Sequence, residues 1–238
     1  MSVLDTVDIQ QVREKMYEKL KPSGWGDKLK TFILSSDFET ILNELLAEAR
    51  AGKRFTPQIK QVFRAFEECP IDQLKVVMIG QDSYPQAGVA DGIAFSCSNT
   101  GKPEASLRYI FKAIQHTLQI EDYIWNPDLA RWSNQGILML NTAFTTQIGK
   151  VGTHYKLWRP FLEFLIDYLT VNHPGIVYVF LGKKAQEWAD LIPDNNFKLM
   201  ASHPASAAYL NLDTWECNDI FNKTSEIVHR QFNYKIVW

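Results

Sequence analysis

The sequence predicts an α/β fold: a single-domain αβα sandwich with a central, mainly parallel four-stranded sheet flanked by helices. Three observations predict it. Four short apolar runs, at 74–79, 136–140, 176–181 and 197–201, lack polar alternation, as strands buried on both faces of a parallel sheet do. Segments of helical period separate the runs, each long enough for a right-handed crossover. Each run also ends in an unusual polar loop: Gly80-Gln81-Asp82-Ser83-Tyr84, Asn141-Thr142, Gly182-Lys183-Lys184 and Ser202-His203-Pro204. Open parallel sheets bind ligands at the carboxyl ends of their strands. Asp82, Asn141, Lys183 and His203 are therefore expected to converge on one cleft.

The elements follow in chain order. Helices are expected over 7–20, 38–51 and 57–66; Phe38, Ile41, Leu42, Leu45, Leu46 and Ala49 recur at helical spacing. After the first strand, 106–118 has an amphipathic pattern with Ser106 at or near its N-cap. A short helix at 128–134 precedes the second strand. Residues 158–171 read as a helix that tolerates Pro160 in its first turn. Further helices are expected at 184–191 and 219–232.

Composition narrows the class. A chain of 238 residues, 46% of them hydrophobic, can bury one large core. One domain over 1–238 is expected, with a helical part at 1–70 packed on that core. The net charge of -2 weighs mildly against nucleic acid as a ligand, yet leaves room for a local basic face. Three cysteines without CxxC spacing read as reduced thiols of an intracellular protein, with no zinc site. Residues 1–16 are polar and charged, without the apolar stretch of a signal peptide, and no run reaches the length of a membrane span.

The strand-end residues form a chemical set. A carboxylate at Asp82 can act as a base, position water or stabilise a nearby cation. Asn141 can read an amide edge such as a pyrimidine face. A neutral His203 can donate to a developing oxyanion. Phe95 offers a flat stacking surface. Ser106, Gly182 and Lys183 could hold phosphates through hydroxyl, backbone N–H and ammonium. Singly, each has a structural reading: a turn-former, a loop cap, a core aromatic, a solvated helix start. The functional reading rests on the set.

At these residues the sequence resembles a family. Gly80-Gln81-Asp82-Ser83-Tyr84-Pro85 is similar to the GQDPYH motif of family 1 uracil-DNA glycosylases. Residues 136–142 resemble their G-[VI]-L-x-L-N-[TA] strand, and His203-Pro204-Ala205-Ser206-Ala207 stands where they carry HPSPL. Gly24-Trp25-Gly26-Asp27, 66–77, Lys223-Thr224 and 236–238 extend the likeness over essentially the whole chain. The resemblance implies hydrolysis of the N-glycosidic bond of uracil in DNA without a cofactor. Asp82 and His203 would be catalytic, and Gln81, Tyr84, Phe95 and Asn141 would form the uracil pocket. Ser106, Gly182, Lys183, Ser206 and Ala207 would contact DNA. The implied partner is uracil-containing DNA bound by a monomer, with a replication protein or a proteinaceous inhibitor as further candidates.

The sequence departs from the pattern. Ser83 replaces the motif proline, Pro85 the motif histidine, and Ala207 the leucine that enters the vacated base stack. Tyr209 or Leu210 could substitute for that leucine. Asp91 stands where many members have histidine, which would make its loop less basic. Poxviral members share the proline after the motif tyrosine and HPA in place of HPS, so a divergent viral or phage member is one source these departures fit. Three alternatives stay open: altered base specificity, a weakly catalytic replication processivity module on the same fold, and a small-molecule nucleoside hydrolase.

Overall fold

The computed structural model describes residues 3–238, so Met1 and Ser2 of the polar N-terminal stretch lie outside it. Polar caps start the first helices. Asp8 accepts from the amides of Gln10 (2.9 Å) and Gln11 (3.3 Å) and opens α1 (Ile9–Leu20). α2 (Trp25–Ile33) follows Gly24; the glycines at 24 and 26 hide it from a reading by periodicity. Ser35 accepts from the Phe38 amide and opens α3 (Ser36–Arg50). Buried Arg13 donates to the carbonyls of Ile33 (2.7 Å) and Ser35 (3.1 Å), groups that the end of α2 would otherwise leave open.

After β1 (Phe55–Thr56), the single helix expected at 57–66 is instead two pieces: a 3-10 turn at Ile59–Gln61 and α4 (Arg64–Glu68). The break turns both Val62 and Phe63 into the core, at 1% and 2% exposure. β2 (Val76–Asp82) is followed by a long loop, α5 (Ala105–Thr117) and α6 (Ala130–Ser133). Glu104, not Ser106, occupies the cap of α5; Ser106 is its second residue. β3 (Ile137–Ala143) and β4 (Thr146–Gln147) lead to α7 (Tyr155–Asn172). Because α7 starts earlier than expected, Pro160 lies in its interior and removes one link of the helical ladder near the start. β5 (Val177–Leu181) ends at a one-turn α8 (Lys183–Gln186), and a separate 3-10 turn at Ala189–Leu191 replaces the rest of the expected helix. β6 (Phe197–Ala201), α9 (Pro204–Tyr209) and α10 (Ile220–Phe232) complete the chain.

The four main strands form one parallel sheet in the order β3-β2-β5-β6. Register aligns their carboxyl ends: Gly80 stands opposite Asn141, Ile79 opposite Phe180, and Leu181 opposite Ala201. β2 and β3 run further than their apolar runs, so Asp82 and Asn141 are strand residues rather than loop residues. β2, β3 and β5 are buried along their apolar lengths, as expected. β6 is not: Lys198 is exposed and Met200 is 41% exposed, because β6 is an edge strand with one face toward solvent.

β1 pairs antiparallel with β4, Thr56 against Thr146, which ties the segment after α3 to the strand ends. The N-terminal helices share the sheet's core. Trp25 meets Phe66 edge-on at 5.1 Å, Phe66 stacks on Phe144 at 6.1 Å, and Phe63 meets Phe161 of α7 at 5.1 Å. No helix among the described residues is long and apolar enough to cross a membrane.

Candidate active site

The carboxyl ends of the strands open onto a cleft of about 400 Å³, lined in part by Gln81, Asp82, Tyr84, Phe95, Ser106 and His203. Asp82 closes β2. Its carboxylate accepts the Gly152 amide at 3.2 Å on Oδ1 and 3.1 Å on Oδ2, and the Tyr155 hydroxyl on Oδ2. Burial pushes its pKa up, and these two donors with nearby His154 offset part of that rise.

His203 caps α9, with Pro204 at the first helical position where a missing N–H costs nothing. Its Nδ1 accepts the Ala205 amide at 3.1 Å. Burial pushes the imidazole pKa down to about 4. At neutral pH the ring is therefore uncharged, and with Nδ1 accepting, its proton sits on Nε2.

Phe95 lines the cleft, and Asn141 lies beside it against Gly80. Phe95 is 6% exposed, and its ring centroid lies 5.6 Å from that of His203. It has φ +64°, a conformation costly for a bulky residue. The Asp91 knot holds it there. Asp91 accepts from the Ile93 amide, the Ser96 and Ser98 hydroxyls and the Ser98 amide, and pairs with Arg64 at 2.8 Å. Asp91 is fully buried, so it shapes the loop from within.

Asn141 is 8% exposed, and among the described residues its amide has no hydrogen-bond partner. Gly80 makes this closeness possible: a Cβ there would lie 2.6 Å from Asn141 Oδ1 and 2.9 Å from Phe95 Cζ. Tyr84 donates to the Phe95 carbonyl at 3.1 Å, and the Thr142 hydroxyl fixes the Gln81 carbonyl at 2.9 Å.

The departures from the motif fit locally. Ser83, buried, donates to the Phe144 carbonyl at 3.2 Å, a tether where the motif proline would set φ. The Pro85 carbonyl accepts the Gly149 amide at 2.9 Å.

The proposed DNA contacts divide. Lys183 is exposed at the start of α8, and Ser106 lines the cleft. Ser206 already donates its hydroxyl to the His203 carbonyl at 2.7 Å. Two expectations need correction. The Gly182 N–H is occupied by the Ala201 carbonyl at 2.9 Å and cannot hold a phosphate. Gly182 is required for close approach instead, since a Cβ there would lie 2.2 Å from Gln81 Nε2 and 2.9 Å from His203 Cβ. Ala207 is 1% exposed where α9 packs on α5, so it faces the core rather than DNA. Tyr209, 89% exposed at the end of α9, is the cleft-lining residue of that helix with an open ring.

Sequence reading missed Gly152, His154 and Tyr155. His154 Nε2 meets Glu48 at 3.0 Å, its Nδ1 meets the Thr145 hydroxyl at 2.8 Å, and that hydroxyl accepts from Trp158 Nε1 at 2.7 Å. This buried network fixes the start of α7 beside Asp82. The only signal was a glycine-threonine-histidine turn ahead of a long amphipathic helix. Among the described residues no group of three or more His, Cys, Asp or Glu could hold a metal ion. The three cysteines are buried and free, and burial pushes the Cys69 thiol up to about 12.

Comparisons with known proteins bear on the family and the fold. Residues 66–224 match the family described as the Uracil DNA glycosylase superfamily. A uracil-DNA glycosylase of Wolinella succinogenes is 32% identical over 222 residues, covering 92% of this chain and 94% of the relative. One from Acinetobacter baumannii is 29% identical over 231 residues, covering 96% and 97%. A crystal structure of a mimivirus UNG variant in complex with UGI superposes with a TM-score of 0.81 at 25% identity, covering 90% of this chain and 87% of that one. The mimivirus uracil-DNA glycosylase structure, at 24% identity, shares the fold with a TM-score of 0.83 over 98% of this chain and 89% of its own. Matched by the family model along two thirds of its length, and 32% identical to a relative over 92% of the chain, the chain belongs to the uracil DNA glycosylase superfamily.

Proposed function

We propose that this chain is a DNA repair glycosylase that hydrolyses the N-glycosidic bond of uracil in DNA, releasing free uracil and leaving an abasic site. Breaking that bond builds positive charge on the sugar and negative charge on the base. Asp82 stabilises the sugar cation and orients the attacking water. His203 donates its Nε2 proton to uracil O2 as that oxygen gains charge. The base is first extruded from the stack. Phe95 stacks on it, the unpaired amide of Asn141 reads its edge, Tyr84 crowds C5 against a methyl group, and the main chain of Gln81 closes the pocket. Fixed donors stabilise the leaving group, so the scheme needs no metal or organic cofactor.

One observation carries the reading. A neutral imidazole with its proton directed to Nε2 by the Ala205 amide shares a cleft with a desolvated carboxylate. Such a pair can supply an oxyanion donor and a cation stabiliser, the two groups that charge developing on base and sugar calls for. We extend the reading to one domain over 1–238, acting as a monomer inside the cell, with Ser106 and Lys183 on the DNA backbone. An inhibitor protein of the kind bound to the mimivirus UNG variant is a candidate partner.

The test uses an oligonucleotide with a single uracil in a chelating buffer, followed by alkali. Cleavage at the uracil position with release of free uracil supports the reading. Intact DNA that is nonetheless bound would favour a processivity module, and cleavage at thymine would favour an altered base preference.

A further inference from the structure

We propose that Tyr155 is a positioning residue for the glycosylase reaction: its hydroxyl holds Oδ2 of Asp82 and leaves Oδ1 as the oxygen turned to the sugar and the attacking water. The inference rests on Asp82 being the catalytic carboxylate.

The geometry singles out this role. The Gly152 amide straddles the carboxylate, at 3.2 Å from one oxygen and 3.1 Å from the other, and so does not choose between them. Tyr155 bonds Oδ2 alone and breaks that symmetry. Among the described residues Oδ1 has no second donor. Tyr155 is the first residue of α7 and stands in the wall between the cleft and a neighbouring groove that also contains Lys156, Lys184 and Glu187. Its ring lies 5.8 Å from Lys184 Nζ. The His154 network fixes the helix start that carries it.

The bond also bears on charge. Burial, with the Asp82 carboxylate adding to it, pushes the Tyr155 phenol pKa far up, so the hydroxyl remains a donor across the working range. That donor lowers the pKa of a carboxylate that burial raises. The other groups facing Asp82 are the Gly152 amide and His154, with His203 lining the same cleft and Glu187 acting on Tyr155 from α8 and its continuation.

The test is Tyr155→Phe in the full chain, by single-turnover excision of uracil across pH. Loss of the bond is expected to lower the maximal rate about tenfold, leave DNA affinity unchanged, and move the Asp82 acid limb to higher pH. Protonation of His203, near pH 4, is not expected to move. Tyr155→Gln, which restores a donor without the ring, should recover part of the limb. In an Asp82→Asn background Tyr155→Phe should add nothing, since it acts through that carboxylate. Thermal unfolding monitors the fold of each variant.

A slow Asp82→Asn beside a Tyr155→Phe of normal rate and unchanged limb overturns this proposal and leaves the role of Asp82 standing. A Tyr155→Phe effect that persists in the Asp82→Asn background also overturns it. A fast Asp82→Asn overturns the reading of Asp82, and the proposal with it.

Discussion

Gly80→Ala tests the pocket at its tightest point. Gly80 faces Asn141 across the sheet and has no positive φ, so alanine meets no backbone penalty there. The added Cβ would lie 2.6 Å from Asn141 Oδ1, 2.9 Å from Phe95 Cζ and 3.0 Å from Phe95 Cε2. Ordinary contact begins near 3.4 Å, so the amide must retreat by about 0.8 Å. Overpacking of this size costs about 1–3 kcal/mol in stability. A displacement near 1 Å of a substrate-positioning group costs about a hundredfold in rate. Single-turnover excision from a single-uracil oligonucleotide should therefore fall by about a hundredfold, while urea unfolding shows a loss of about 1–3 kcal/mol and no change in cooperativity. Excision at the parent rate by a folded Gly80→Ala would refute the placement of Asn141 and Phe95 against the substrate base.

Three further outcomes follow from the same geometry. Ala207→Leu should destabilise the chain by about 1–3 kcal/mol in urea unfolding, because the site is buried between α9 and α5; this replaces the expectation that leucine there would enter the duplex. Tyr209→Ala should slow excision of uracil paired with adenine about tenfold while sparing single-stranded substrate, since one exposed ring against a base is worth about 1–3 kcal/mol; equal losses on both substrates would assign the ring to packing. Burial depresses the His203 pKa from the usual 6.5 to about 4, so the folded state disfavours its proton. Its contribution is present above pH 6.5 and is lost as pH falls toward 4, on the order of 3 kcal/mol in all. The unfolding free energy of the parent should fall relative to that of His203→Gln as pH drops through that window.

The sheet was legible because a strand buried on both faces leaves a continuous apolar run, and β2, β3 and β5 do so. The convergence of Asp82, Asn141 and His203 on one edge followed from parallel topology alone. β6 was read as buried on both faces because its alternation is weak over five residues: Lys198 reaches back to the Ile192 carbonyl and Met200 is apolar though exposed. The Gly182 N–H and Ala207 were misassigned because neither a spent backbone donor nor a helix's buried side is marked in so short a segment. Tyr155 and Gly152 were invisible for another reason. Their contacts to Asp82 span 73 and 70 residues, and no local pattern encodes them. The burial of Asp91 was not legible, because its five contacts come from the folding of its own loop and from Arg64.

The most direct measurement is single-turnover excision by Asp82→Asn, with binding to the same uracil oligonucleotide measured in parallel. The substitution keeps the shape and one acceptor oxygen for the Tyr155 and Gly152 donors while removing the charge that stabilises the sugar cation. The account predicts a rate at least about a hundredfold below the parent, as for loss of one electrostatic stabiliser, with DNA affinity retained. A folded Asp82→Asn that excises uracil at near the parent rate would contradict it and place the catalytic carboxylate elsewhere.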